Sequence, residues 1–367
     1  MYLADQGAEV IKVEPLEGDR SRGAGSFARG YLAQNRNKRG ISVDIRQPEG
    51  RQIVYKLVEQ SDVLIHNFRP GVAERLGYDY PTLRKLNRGL IYGWLTGYGP
   101  SGPLAQQGGY DVLLQALSGL LARRRLPDGT PTRTGLFVAD MSAPMLLAYG
   151  ISLALLMRHQ TGEGQMVTTS LLQGALAMQN TDLVAWEKDG RPGDRASDTH
   201  GLNSAYRCQD DQYLVLGIFQ NEQWERLCNA VGRQDLTKDD RYRTVAQRGG
   251  SAELYEQFCG LFATGTSEDW LAVLNEADVP AAPVLDESGV TDHPQMTANE
   301  FFFDVMHPEA GRTRMVSPGV RLSATGAVPR RPAPLLGEHT REILFELGYE
   351  EEAVAVLVKD SVVKQAD

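Results

Sequence analysis

Apolar and polar positions along the first hundred residues switch between a period of two and a period near 3.6. EVIKVE (Glu9 to Glu14), GISVDI (Gly40 to Ile45), DVLIHNF (Asp62 to Phe68) and LIYGWLTG (Leu90 to Gly97) read as short strands. Between the second and third, Pro48 to Gln60 reads as a helix. Ile53, Val54, Leu57 and Val58 share one face of it, and Pro48 suits its first turn. Strands separated by helices predict a parallel, doubly wound α/β sheet. Ligands in such sheets sit beyond the carboxyl ends of the strands, so the residues after DVLIHNF and LIYGWLTG are expected to line a site. A βαβ unit should open with a strand, yet MYLADQG reads as the end of a helix. Either the fold dispenses with a first strand and half a helix, or the sequence starts late.

Leu113 to Leu121 and Ala143 to Met157 read as core helices. The stretch Glu187 to Ser204 is rich in Gly, Asp, Ser and Pro and reads as a linker. After it come a strand at Gln212 to Phe219 and a helix from Asn221, whose side chain is expected to cap it. Short helices then lead to VPAAPV (Val279 to Val284), and a β-like stretch runs to about Leu322. The tail, Leu335 to Val363, is helical again and is expected to pack back onto the first domain. The predicted organisation is a large domain from residues 1–195 and 325–367, a small one at 205–320, and the linker at 187–204.

Composition narrows the function. The chain has 367 residues, 42% hydrophobic and 23% charged, as an ordinary globular protein does. A net charge of −9 argues against nucleic acid as a partner. Three distant cysteines suit a reducing, cytoplasmic setting and offer no thiolate metal site. No HExxH, G-x-S-x-G or P-loop sequence occurs, and no metal is expected. Met141 to Met157 is apolar but interrupted by Ser142, Pro144, Gly150 and Ser152, and reads as a core helix rather than a membrane span.

Asp140 is the only charged residue between Arg133 and Arg158. A lone carboxylate in such a stretch must be satisfied or used. It fits the N-cap of a helix beginning near Ser142, and it also fits a catalytic carboxylate kept ionised by backbone N–H groups. HNFRPGVAERLGYDY (His66 to Tyr80) joins a strand end to a helix, with Arg69 and Arg75 placed to meet a phosphate. NRNKRGISVDIRQPEGR (Asn35 to Arg51) gathers five basic residues, Arg46 among them, which suits an adenine nucleotide or a charged surface hairpin. GYGPSGP (Gly97 to Pro103) is a loop able to approach a ligand closely.

These segments, with GAEVIKVEPLEGD, GGYDVLLQALSGL, FVAD, TGEGQMVTTSLL, VPAAPV and PLLGEHTREILFELGY, resemble in their order the family III CoA-transferases, a group that includes the α-methylacyl-CoA racemases. The resemblance runs from Gly7 to about Val363. It implies a nucleophilic aspartate at Asp140. It also implies CoA contacts at Val43, Asp44, Ile45 and Arg46, at Asn67, Phe68 and Arg69, at Arg75, and at Gly108, Gly109, Tyr110 and Asp111. It further implies a large Rossmann-like domain built from both chain ends, a smaller α+β domain, and an interlocked homodimer. The substrates would be an acyl-CoA and a carboxylic acid, with no tightly bound cofactor and no membrane. DTHGLNSAYR (Asp198 to Arg207) lacks the glycine-rich loop of formyl-CoA transferase, and Gly108 stands where some relatives carry lysine. Tyr110 stands where the racemases carry histidine. A tyrosine with an ordinary pKa near ~10 is a poor base at neutral pH, which favours transfer over 2-methylacyl-CoA racemisation. The remaining alternative is an inactive CoA-binding remnant.

Overall fold

A computed structural model describes residues 1–23, 25–184, 201–326 and 331–366. Contacts divide the chain into two compact units, Met1–Val184 with Glu300–Asp367, and Ala185–Asn299.

In the first unit β1 (Val10–Glu14) runs parallel to β2 (Lys38–Val43), with Val10 opposite Lys38. β3 (Val63–His66), β4 (Ile91–Thr96) and β5 (Met166–Ser170) form a second parallel set, in the order β3-β4-β5. The single doubly wound sheet expected from the sequence is thus two three-stranded ladders. The Pro48–Gln60 helix lies against both. Ile53 and Leu57 pack with Ile41 and Val43, while Val54 and Val58 pack with Leu90 and Tyr92. Each such side chain contributes about 1.5–3 kcal/mol of burial. Its four apolar positions share one face, as predicted, because that face has two ladders to cover.

The Val138–Thr161 helix is long and apolar enough to cross a membrane by length and composition. Here Ala143, Leu147, Ile151 and Ala154 are buried, and Leu147, Ile151 and Ala154 cluster with Ile91 of β4. Glycines permit the approach. A Cβ on Gly93 would lie 3.2 Å from Ile151, and one on Gly150 would lie 2.7 Å from Val167. The opposite face is open. Met141, Met145, Tyr149, Leu153, Leu156 and Met157 are exposed, so the expected core helix is buried on one side only.

In the second unit, β6 (Ala205–Arg207), β7 (Tyr213–Leu216) and β8 (Ala281–Pro283) make an antiparallel sheet over an aromatic core that includes Tyr206, Trp224, Phe258 and Phe262. The Asn221–Ala230 helix forms as predicted, but Asn221 does not cap it. Instead Gln223 turns back to accept the Phe219 and Gln220 N–H groups, and Asn221 accepts from Arg248.

The chain then returns to the first unit. β9 (Phe302–His307) and β10 (Gly311–Val316) form a hairpin closed by Ser317 N–H donating to the Phe301 carbonyl. The small unit therefore stops at Asn299 rather than at residue 320, because this segment packs on the first unit: Arg36 lies 5.3 Å from the Phe303 ring and Gln6 donates to the Val320 carbonyl at 2.9 Å. Most of the predicted linker, 187–204, lies outside the described residues. The tail does pack back. Ile343, Leu344 and Val354 join Ile41 and Val43 in one cluster, and β11 (Val363–Lys364) pairs antiparallel with β2.

Candidate active site

The segments singled out from the sequence follow β2, β3 and β4, and a continuous run of contacts joins them. Val43 ends β2, and Asp44 to Arg46 follow it. The Tyr78 hydroxyl donates to the Ile45 carbonyl at 3.0 Å, fixing the His66–Tyr80 segment to that turn. Tyr92 of β4 donates to the Tyr78 carbonyl, and His66 pairs with the Tyr92 hydroxyl at 2.6 Å. His66 Nδ1 accepts the Phe68 N–H, which places the ring proton on Nε2, facing Tyr92. Burial pushes this imidazole down to about 4, so it is neutral and acts as a fixed post rather than a proton carrier. Trp94 stacks on His66 and donates its indole N–H to the Phe68 carbonyl. The loop Asn67-Phe68-Arg69 is thereby pinned at the carboxyl end of β3.

Arg69 and Arg75 are exposed, and neither has an ion pair among the described residues. Both keep their charge available for an anion. Arg46 is different, for its guanidinium already grips Asp44 at 2.8 Å and 3.1 Å. A phosphate there must compete with that carboxylate.

Arg69 leads to the next segment. A Cβ on Gly108 would sit 2.7 Å from an Arg69 guanidinium nitrogen, so the absence of a lysine at this position leaves room for Arg69. Gly109 crosses Gly97 so closely that a Cβ on Gly109 would meet the Gly97 Cα at 2.6 Å. This crossing holds the start of the Asp111–Leu117 helix against the end of β4. The sequence marked GYGPSGP as a loop of close approach; its partner turns out to be another glycine.

Asp140 is the third residue of the Val138–Thr161 helix and not its cap. Its carboxylate is exposed and makes no hydrogen bond among the described residues. The expected backbone N–H partners are taken by Asp111, whose Oδ1 accepts from Ala139 at 2.7 Å and from Asp140 itself at 3.2 Å. Partial desolvation, and then the Asp111 charge, raise the Asp140 carboxyl above its ordinary pKa. The carboxylate is therefore not held ionised by the helix start. It is left unengaged and more basic. Asp111 is buried, at 5% exposure, and lies within the protein rather than on a ligand-facing surface. Tyr110, beside it in the chain, is 65% exposed, as are Leu136, Phe137 and Met141 on either side of Asp140 in sequence, at 73%, 61% and 42%. No group of acidic, histidine or cysteine residues among the described residues could hold a metal.

Asp140, Asn67, Arg69, Arg75 and Tyr110 are all exposed, Asp140 and Arg75 on helices and Asn67, Arg69 and Tyr110 on the segments that lead into helices. Val43 and Asp111 are buried and can only shape the site. The supporting network of His66, Tyr92, Tyr78 and Trp94 was not picked out from the sequence. A histidine ending an apolar strand beside a tyrosine-rich loop is its only local trace.

A model of the family described as CoA-transferase family III matches residues 1–340. The chain is 34% identical to succinyl-CoA:glutarate CoA-transferase of Mus musculus, over 100% of this chain and 86% of that protein. It is 30% identical to (R)-2-hydroxy-4-methylpentanoate CoA-transferase of Clostridioides difficile, over 99% and 94%. A CaiB/BaiF family protein from Brucella suis superposes with a TM-score of 0.81 at 30% identity, over 94% of this chain and 93% of that one.

Proposed function

The chain belongs to CoA-transferase family III and is a transferase, and from that premise we propose that Asp140 carries the acyl group and then CoA between a thioester and a carboxylic acid. The observation that supports this most is the exposed Asp140 carboxylate, which accepts no hydrogen bond among the described residues because Asp111 takes the N–H groups at the start of its helix. One Asp140 oxygen attacks the thioester carbonyl carbon, the C–S bond breaks, and CoA leaves as thiolate, giving a mixed anhydride. The thiolate attacks the Asp140 carbonyl of that anhydride, releasing the donor acid and leaving an aspartyl-CoA thioester. The acceptor carboxylate attacks the same carbonyl and expels CoA thiolate. That thiolate then takes the acceptor's acyl carbon and frees Asp140.

Each tetrahedral intermediate requires N–H donors worth roughly 3–4 kcal/mol apiece. The Ala139 and Asp140 N–H groups are engaged by Asp111 and cannot serve while that contact holds. Water must be kept from the anhydride, which it would hydrolyse. Mixing succinyl-, acetyl- or formyl-CoA with a panel of carboxylic acids is expected to yield a new CoA ester detectable by mass. Hydrolysis without any new ester would contradict transfer.

Arg75 and Arg69, exposed and without an ion pair among the described residues, are proposed to meet the phosphates of CoA, with Arg46 joining only by releasing Asp44. Arg75→Ala is expected to weaken every CoA ester alike, by roughly tenfold to a hundredfold, since a charge-assisted hydrogen bond is worth ~1.5–3 kcal/mol. A loss confined to one acyl group would move Arg75 from the nucleotide to the acyl pocket.

The functional unit is proposed to be a homodimer. The open face of the Val138–Thr161 helix, Met141, Met145, Tyr149, Leu153 and Leu156, supports this reading, because a continuous apolar stripe is rarely left to water. Light scattering is expected to give twice 40.4 kDa. A folded particle of 40.4 kDa would remove the dimer.

A further inference from the structure

We propose that Asp111 is a positioning residue for the transfer, setting the nucleophile by holding the first turn of its helix rather than by touching CoA. This rests on Asp140 being the nucleophile. The Asp111 carboxylate uses both oxygens inside the protein. Oδ1 takes the N–H groups of Ala139 and Asp140. Oδ2 takes the Gln115 amide, which also donates to the Leu136 carbonyl at 2.8 Å. Asp111 thus ties the helix that begins with it to the helix that bears Asp140, and through Gln115 to the segment before Phe137.

The chemical consequence is specific. An aspartate in the first turn of a helix ordinarily turns its own oxygens onto free backbone N–H groups there. Its lone pairs would then be engaged and its basicity lowered. Asp111 fills that role from another helix and leaves the Asp140 oxygens free to attack. Few other charges reach the site. The Leu171–Ala177 helix packed beside it carries no ionisable side chain, and the Asp111–Leu117 helix carries only Asp111. Arg133, in the segment leading to Asp140, is exposed. Tyr2, Tyr98 and Tyr110 are the nearby phenols, Tyr2 donating to the Met141 carbonyl and Tyr98 to the Gly108 carbonyl.

Two variants test this, measured beside Asp140→Asn. Asp111→Ala frees the two N–H groups, which Asp140 can then engage. Transfer is expected to fall in kcat by about tenfold or more, the scale of a small misplacement of a reacting group, with KM for the CoA ester unchanged. Asp111→Asn keeps an acceptor for the N–H groups but removes the charge, so it should lose less of kcat than Asp111→Ala. Its distinguishing sign is in the pH profile. Transfer needs ionised Asp140, whose pKa the Asp111 charge raises, so the acidic limb of kcat should move to lower pH in Asp111→Asn. A rise in KM for CoA esters with kcat unchanged in Asp111→Ala would make Asp111 a CoA contact and overturn the proposal. So would an acidic limb that stays in place in Asp111→Asn, which decides the matter alone if the alanine variant does not fold. Transfer by Asp140→Asn would instead remove the nucleophile on which the proposal rests, whatever Asp111 does.

Discussion

Replacing Asp140 by asparagine is expected to leave a folded protein that binds CoA esters with unchanged affinity and transfers essentially none. An amide cannot form the acyl anhydride or the aspartyl thioester, so every covalent step is lost. The side chain is exposed and has no hydrogen bond to break among the described residues, so the change in stability should stay within about 0.5 kcal/mol, as for an ordinary surface substitution. Chemical denaturation checks the stability, and CoA-ester production checks the activity. The alternative reading of Asp140 as a helix cap predicts intact turnover, since asparagine caps about as well as aspartate. The structure already weakens that alternative, because Asp140 lies inside the first turn and Asp111 does the capping.

The second large effect is expected at Gly109. Alanine there would place its Cβ 2.6 Å from the Gly97 Cα, and neither partner is a side chain that can swing away. The two backbones must separate, which costs about 1–3 kcal/mol as overpacking does. The displaced segment is the one that starts the Asp111 helix, so the shift is passed to Asp140 through Asp111. A displacement of about 1 Å can cost roughly a hundredfold in rate. Gly109→Ala should therefore lose transfer far more than stability. Gly102→Ala is the control, because nothing lies within 4 Å of a Cβ there and only its backbone strain at φ +98° would be felt. Equal activity in the two variants would mean that the crossing does not govern the site.

How much of this could be read from the sequence depends on the range of the interaction. The Pro48–Gln60 helix was legible to the residue, since proline marks its start and the apolar spacing its face. The strands β1 to β4 were placed within a few residues for the same reason. β5, MVTTS, was missed because it is short and alternates exposed with half-buried positions. The Asp140 carboxylate stood out as an isolated charge, yet its surroundings did not. The helix begins at Val138, not near Ser142, because Asp111, 28 residues before Ala139, supplies the missing acceptor. No local pattern encodes a partner at that distance. Likewise, the basic segment around Arg46 suited an adenine nucleotide or a charged surface hairpin equally well, and the Asp44 carboxylate that occupies its guanidinium became visible only in the fold.

The most direct measurement is to trap the carboxylate in the act. Hydroxylamine added during turnover intercepts an acyl-aspartate or an aspartyl thioester and converts the side chain to a hydroxamate, which mass spectrometry of the digested protein locates. The account predicts that this mark appears on the peptide containing Asp140, only when an acyl-CoA is present, and in proportion to transfer. A protein that transfers CoA under the same conditions and carries no mark at Asp140 would contradict it.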